Sequence, residues 1–385
     1  MTVPPQHNPY SVRVPKKRQA LRNAESPPRV DYPLVPWSET SHSEQWVDVD
    51  HAKAQVDTFR KWLERLPDVV DSGVNYGSLV VVTGPIGMGK TTLIHRCVHE
   101  AQEHIERMDP DPPLKQVVAM TAGYDNIGDV ISLDDNGRFA TVPAINAGIV
   151  KQVVGELRTK LTHVDTGISK WSPGEAFEAI SELLEQQDAL LFVIVPHIAW
   201  KDPGVRSEFL LTCLKHARSR IILFAEISHG ATDRAKEVVK EVVRHPAVTH
   251  LELGHLKGDD RVAFSQAARS GHPDPDATLL TDWEPADVRE LRLVYHAAAE
   301  RQIRAGEPVR ITARELSHQA ERLRREAREN LLGALAEDSR PEPSRPEPSP
   351  PDSSPPDPSP PDPSLPGHSP AEDTPLGRPA PPAGP

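Results

Sequence analysis

The chain has 385 residues, a net charge of −12 and 41 prolines, 19 of them between Pro341 and Pro385. Setting that tail and a loose N-terminus aside leaves about 290 residues, enough for one α/β domain and a small helical companion. Two cysteines, Cys97 and Cys213, exclude a disulfide scaffold, and an acidic balance argues against a surface devoted to nucleic acid.

Residues 1–45 are proline-rich and polar, lack periodicity and read as a disordered arm. Within residues 1–30, Arg13, Lys16, Lys17, Arg18, Arg22 and Arg29 face only Glu25, so that stretch is basic; contact with nucleic acid through it is not favoured over a solvated leader. No apolar core of a signal peptide is present, and the longest apolar run, Ala189–Val195, falls short of the ~18 residues that cross a bilayer. A cytoplasmic protein without a membrane association is therefore expected. From Asp50 the spacing of Val56, Phe59, Trp62, Leu63 and Leu66 predicts an amphipathic helix ended by Pro67.

Ser78–Thr83 is an apolar run of strand type. It feeds Gly84-Pro85-Ile86-Gly87-Met88-Gly89-Lys90-Thr91, which matches G-x-x-x-x-G-K-[ST], and a helix follows. Glycines let successive backbone N–H groups wrap an anion at the helix N-terminus. The segment Gly84–Thr92 is the candidate nucleotide cradle. Lys90 is placed for the β- and γ-phosphates, and the Thr91 hydroxyl for Mg²⁺.

Gln116–Thr121 predicts a second strand. Ser172-Pro173 with Glu175 predicts a capped helix to about Gln187, and it delivers the buried strand Ala189–Val195. Asp202-Pro203 opens a helix to Arg218, Ile221–Ala225 is a strand, Asp233–Arg244 a helix and Val248–Leu253 a last short strand. Five strands with crossover helices predict a doubly wound parallel sheet with its ligand at the strands' carboxyl ends. Helices over Pro285–Arg304 and Thr312–Asn330 form a helical appendage. The expected organisation is an arm over 1–45, a nucleotide-binding α/β domain over 46–256, a helical lid over 257–332 and a disordered tail over 333–385. Pentads such as RPEPS and PPDPS favour an extended spacer in that tail.

The order of these elements resembles that of AAA+ ATPases, most closely the origin-recognition and helicase-loader branch and related bacterial transposition ATPases. Three stretches between residues 50 and 328 carry the resemblance: the phosphate loop, Val248–Leu256, and the pair Asp287-Val-Arg289-Glu-Leu with Ala297–Glu300 and Ile311–Leu316. The resemblance implies a five-stranded parallel sheet with helices on both faces, a helical lid, and ATP with Mg²⁺ as ligands. It assigns Arg289 to the lid's sensor arginine and Arg244 to a finger offered to a neighbouring subunit, hence a homo-oligomer. Ser228 or a neighbour takes the sensor at the end of the fourth strand.

One station departs from that pattern. The family's third strand ends in two acids, but Leu190–Val195 runs into Pro196-His197, and neither carries a carboxylate. Impaired hydrolysis with retained binding follows from that loss. His197 can still orient a water, and Glu226, ending Ile221–Glu226, is the candidate displaced acid, provided the strand order is 5-1-4-3-2. Three readings stay open: a nucleotide-dependent switch or adaptor for an unidentified protein partner, an active ATPase acting on DNA, and, least favoured, a small-molecule kinase. His95 and His99 share one helix face, but no third metal ligand accompanies them.

Overall fold

The computed structural model describes residues 8–11, 33–47, 50–66, 77–107, 114, 116–122, 141–195, 197–198, 203–230, 235–257, 260–261, 263–264 and 287–338. The basic residues Arg13–Arg29, Pro196 and the proline pentads lie outside them. Residues 1–330 form one compact unit; in the second, residues 331–385, the described part is the helical stretch 331–338.

Five parallel strands make one sheet: β1 (Ser78–Pro85), β2 (Gln116–Thr121), β3 (Ala189–Val195), β4 (Ile221–His229) and β5 (Val248–Glu252), in the order β2-β3-β4-β1-β5. β1 and β3 are buried along their whole length because helices cover both faces, which is why they read as unbroken apolar runs. Side chains alternate between the two faces. On one, Leu79, Val81, Leu191, Val193, Val195, Leu223 and Ala225 pack against α3 (Val142–Lys160), α4 (Pro173–Gln186) and α5 (Pro203–His216). On the other, Val80, Val82, Leu190, Phe192, Ile194, Ile222 and Phe224 meet α1 (Asp50–Leu63) and α2 (Lys90–Glu106). Even-numbered positions on β3 and β4 therefore belong to the face that carries α2.

Most elements lie where the sequence patterns place them, including the start of α4, where the Glu175 carboxylate accepts from both the hydroxyl and the N–H of Ser172. Four differ. Helix α3 has no counterpart among the predicted elements, although Thr141 caps it and Ile145, Ile149, Val153 and Leu157 line its buried face. β4 continues past Ala225 to His229, paired with β1 to its last residue. The single helix expected over 233–244 is two turns, α6 (Ala235–Val238) and α7 (Lys240–Val243). After β5, helix α8 (Val288–Arg304) starts at its cap Asp287, and α9 (Ala313–Asp338) runs beyond the expected end at Asn330. Leu291, Val294, Tyr295, Ala298, Val309, Ile311 and Leu316 form the core of this helical pair. Cys97 and Cys213 are buried; burial pushes the Cys213 thiol up to about 12, so neither is placed as a nucleophile.

The N-terminal segment departs from the expectation of an unstructured arm through residue 45. Residues 33–47, including a 3-10 helix over Thr40–Gln45, lie on α2: Trp37 Nε1 donates to His95 Nδ1 at 2.9 Å, and the Arg96 guanidinium stands 4.8 Å from the Trp46 ring. Residues 8–11 lie on α8. Asn8 Nδ2 donates to the His296 carbonyl at 3.0 Å, and the Tyr10 and Tyr295 rings are 5.2 Å apart. Gln45 joins the two pieces, donating to the Ser11 carbonyl at 3.0 Å and accepting from Arg292 at 3.3 Å. Removing the buried ring with Tyr10→Ala should loosen α8 by roughly 2–4 kcal/mol. Amide hydrogen exchange in residues 288–304 should rise while α2 keeps its protection; unchanged exchange in α8 would show that this contact does not hold the helix.

Candidate functional site

The loop between β1 and α2 carries its shape in its glycines. At Gly84 a Cβ would stand 2.7 Å from the Leu253 carbonyl oxygen, so only glycine lets the end of β1 pass this close to β5's continuation. Gly87 has φ +84°, in the left-handed region, and a Cβ there would collide with the Asp287 carboxylate. Ile86 is exposed at the loop's tip, whereas Met88 is buried among the α1–α2 residues. The loop thus anchors by Met88.

Lys90 is 3% exposed and donates from Nζ to the Pro85 carbonyl at 2.8 Å. Its second partner is Glu226, with 3.8 Å between Nζ and Oε1. Burial lowers the Lys90 pKa below its ordinary value; Glu226 opposes that shift and the nearby Arg289 adds to it. The Thr91 hydroxyl donates to Glu226 Oε2 at 2.7 Å. One carboxylate therefore holds both polar side chains that the sequence marks for phosphate and metal. Its position follows from the sheet: β4 is β1's immediate neighbour, Glu226 pairs with Val82, and its even number turns it toward α2.

His197 closes the end of β3 onto β4, its Nδ1 accepting the Ser228 backbone N–H at 3.2 Å. That bond fixes a ring with Nδ1 unprotonated, and burial lowers its pKa, with Glu226 raising and Lys90 lowering it further. The imidazole is neutral at physiological pH. Ser228 enters through its backbone N–H.

Arg289 is exposed at the first turn of α8, and its backbone N–H donates to the Gly87 carbonyl at 3.2 Å. Asp287, beside Gly87, caps α8 by accepting the Glu290 N–H at 2.7 Å. The lid helix thus begins on the loop. Thr92 turns elsewhere: its Oγ1 accepts the Leu34 N–H at 3.3 Å, so the N-terminal segment takes this member of the cradle. Arg244 is exposed at the end of α7 and takes no part in the cradle's contacts. His95 is engaged by Trp37, and His99 lies 3.3 Å from Glu103; no group of three metal-ligating residues occurs among the described residues. No helix there is long and apolar enough to cross a membrane.

Glu226 contacts both Lys90 and Thr91, and His197 lies within electrostatic reach of Glu226 and Lys90. Asp287 and Leu34 were not anticipated. Asp287 had a local signal, an aspartate three residues before Glu290 at a helix start, the pattern of a capping residue. Leu34 had none, since its contact is a backbone N–H 58 residues from its partner.

No family model matches the chain, and no curated protein matches it by sequence. Solved structures with some similarity include the ORC2 protein of Aeropyrum pernix, in ADPNP–ADP complexes. It is 16% identical with a TM-score of 0.47, over 70% of this chain and 66% of that one, just under two thirds of its length. Another is PCH-2 of C. elegans, 16% identical with a TM-score of 0.35, over 68% of this chain and 67% of that one. The strand order β2-β3-β4-β1-β5, the loop between β1 and α2, and the helical pair after β5 are the arrangement that the resemblance to AAA+ ATPases implies.

Gly87→Ala tests the contact between loop and lid. Its methyl must displace Asp287 and take a left-handed φ, at a combined cost of about 1–3 kcal/mol. Exchange at the first turn of α8 should rise; unchanged protection there would count against the contact.

Proposed function

We propose that the chain is an AAA+-type ATP-binding protein that works as a nucleotide-dependent switch with slow hydrolysis. The observation that carries this reading is the Glu226 carboxylate, bonded to Thr91 and paired with Lys90 at the mouth of a phosphate loop. The donor set fits magnesium nucleotide. Loop N–H groups and Lys90 suit phosphate oxygens, and the Thr91 hydroxyl with a carboxylate suits a hard, oxygen-seeking cation. Thr91 and Glu226 would hold Mg²⁺, and Lys90 the phosphates. The bound metal supplies charge neutralisation at the phosphates.

Slow turnover follows from the count of acids. Glu226 takes the place beside Thr91, and the end of β3 supplies a neutral imidazole where a second carboxylate would activate water. The lid helix, bonded to Gly87 and carrying Arg289 above it, is the element whose position the nucleotide would set. Assembly belongs to the same reading: exposed Arg244 stands where the resemblance places a finger for a neighbouring subunit.

An active ATPase is the second reading. It is favoured by His197, a neutral imidazole within electrostatic reach of Glu226 and Lys90 and suited to orienting a water. Fluorescent ATP binding and phosphate release, measured on wild type, Lys90→Ala and His197→Ala, decide between them. The switch predicts magnesium-dependent binding, weakened about tenfold or more by Lys90→Ala, with little release. Sustained release that falls in His197→Ala would establish the active ATPase. Absence of binding by wild type would overturn both.

A further inference from the structure

Arg206 puts a charge where helix α5 turns its apolar stripe to the sheet. Phe209, Leu210 and Cys213 are buried there and pack with the strands. Arg206 stands three and four residues before the first two of them, so it continues the same stripe into the helix's first turn. The residue is partly buried, and its Nε is closed to solvent with no hydrogen-bond partner among the described residues. A guanidinium N–H shut off from water calls for an acceptor that the fold itself does not supply.

The topology fixes where that acceptor would lie. α5 connects β3 to its parallel neighbour β4, so it runs back along the sheet and begins at the strands' carboxyl ends. Glu226, His197 and the loop between β1 and α2 occupy the same end. Arg206 acts on His197 directly: burial is the main cause of that imidazole's lowered pKa, and Arg206 is one of the cations that add to it. The end of β3 thus carries a neutral ring and a nearby guanidinium where the resemblance expects two carboxylates. The local charge is reversed, from one that repels phosphate to one that attracts it.

We propose that Arg206 binds the terminal phosphate of a nucleoside triphosphate from the β3 side of the cradle, so that the site prefers a triphosphate to a diphosphate. The proposal rests on the nucleotide-binding reading and adds the residue that tells the two ligands apart. Hydrolysis takes place at the terminal phosphoryl group, so the strand end that would present water faces that phosphate rather than the inner ones. A guanidinium keeps its charge when buried and offers a planar set of donors that matches phosphate oxygens. The loop N–H groups serve phosphates that both ligands share; a cation beside β3 serves the one that differs. Arg289 is exposed on the lid helix, whereas Arg206 is held by the packing of α5 against the sheet and is in place wherever the lid lies. An arginine there holds the phosphate without activating water, which agrees with slow turnover.

The test is equilibrium binding of N-methylanthraniloyl-ATP and N-methylanthraniloyl-ADP to the full chain in excess MgCl₂, for wild type, Arg206→Gln and Arg206→Met. Wild type should bind the triphosphate at least about tenfold more tightly than the diphosphate. Arg206→Gln should weaken triphosphate binding about tenfold or more and leave diphosphate binding within about twofold, so that the preference collapses. Arg206→Met removes the charge with a side chain suited to a core-facing position, and the same result is expected from it. It carries the test if Arg206→Gln does not fold by circular dichroism. An equal loss for both nucleotides would overturn the proposal and leave Arg206 a packing residue. An unchanged preference in a folded variant would overturn it as well, as would equal affinity of wild type for the two nucleotides. Failure of wild type to bind either nucleotide marks failure of the nucleotide-binding reading itself.

Discussion

A buried ammonium needs a counter-charge, and the loop between β1 and α2 is arranged around that need. Lys90 is 3% exposed, and leaving it unpaired would cost several kcal/mol or force it neutral. The Pro85 carbonyl satisfies one proton from within the loop, and Glu226 supplies the charge from the adjacent strand. The same carboxylate takes the Thr91 hydroxyl, so β4, the loop and the first turn of α2 are fixed to one another by a single side chain. The sheet order makes this geometry available: β4 must adjoin β1, and the residue opposite Val82 must point toward α2.

The period of the strand decides which residues are eligible. Along β3, Leu190, Phe192 and Ile194 face α2, and the strand ends at Val195 without an acid on that face. On β4 the corresponding parity falls on Ile222, Phe224 and then Glu226. The carboxylate expected on one strand is met on its neighbour by the same alternation rule. His197, instead of carrying chemistry of its own strand's kind, ties the two strand ends together through the Ser228 N–H.

What could be read from the sequence is what local rules control. Apolar runs marked β1, β3 and β4, shorter apolar segments marked β2 and β5, G-x-x-x-x-G-K-T marked the cradle, and Ser172-Pro173 with Glu175 marked a helix start, because each depends on neighbours a few residues away. Helix α3 escaped for a physical reason. It is rich in valine and isoleucine and holds Gly148 and Gly155, residues of low helical preference, and its amphipathic packing against the sheet overrides them. The N-terminal segment escaped for another. Its order depends on contacts such as Trp37 with His95 and Asn8 with His296, 58 and 288 residues apart, which leave no periodic trace. Proline-rich composition describes a segment without a core of its own; here the segment borrows one from α2 and α8.

Those borrowed contacts change how the lid is held. Helix α8 starts on the loop, through the Arg289 N–H to the Gly87 carbonyl, and its flank meets Asn8, Tyr10 and Gln45. The other part of the same N-terminal segment lies on α2, reaching back to Thr92, one residue beyond the hydroxyl that Glu226 holds. The cradle and the lid are therefore linked twice, once directly at Gly87 and once through residues 8–11 and 33–47. A lid tied only at its N-terminal turn can pivot about that turn; a second tie along its flank restricts the pivot to motions that also shift the N-terminal segment over α2. Any change in the loop that moves Gly87 must be accommodated along both routes. That double attachment couples the loop to α8 by two separate routes.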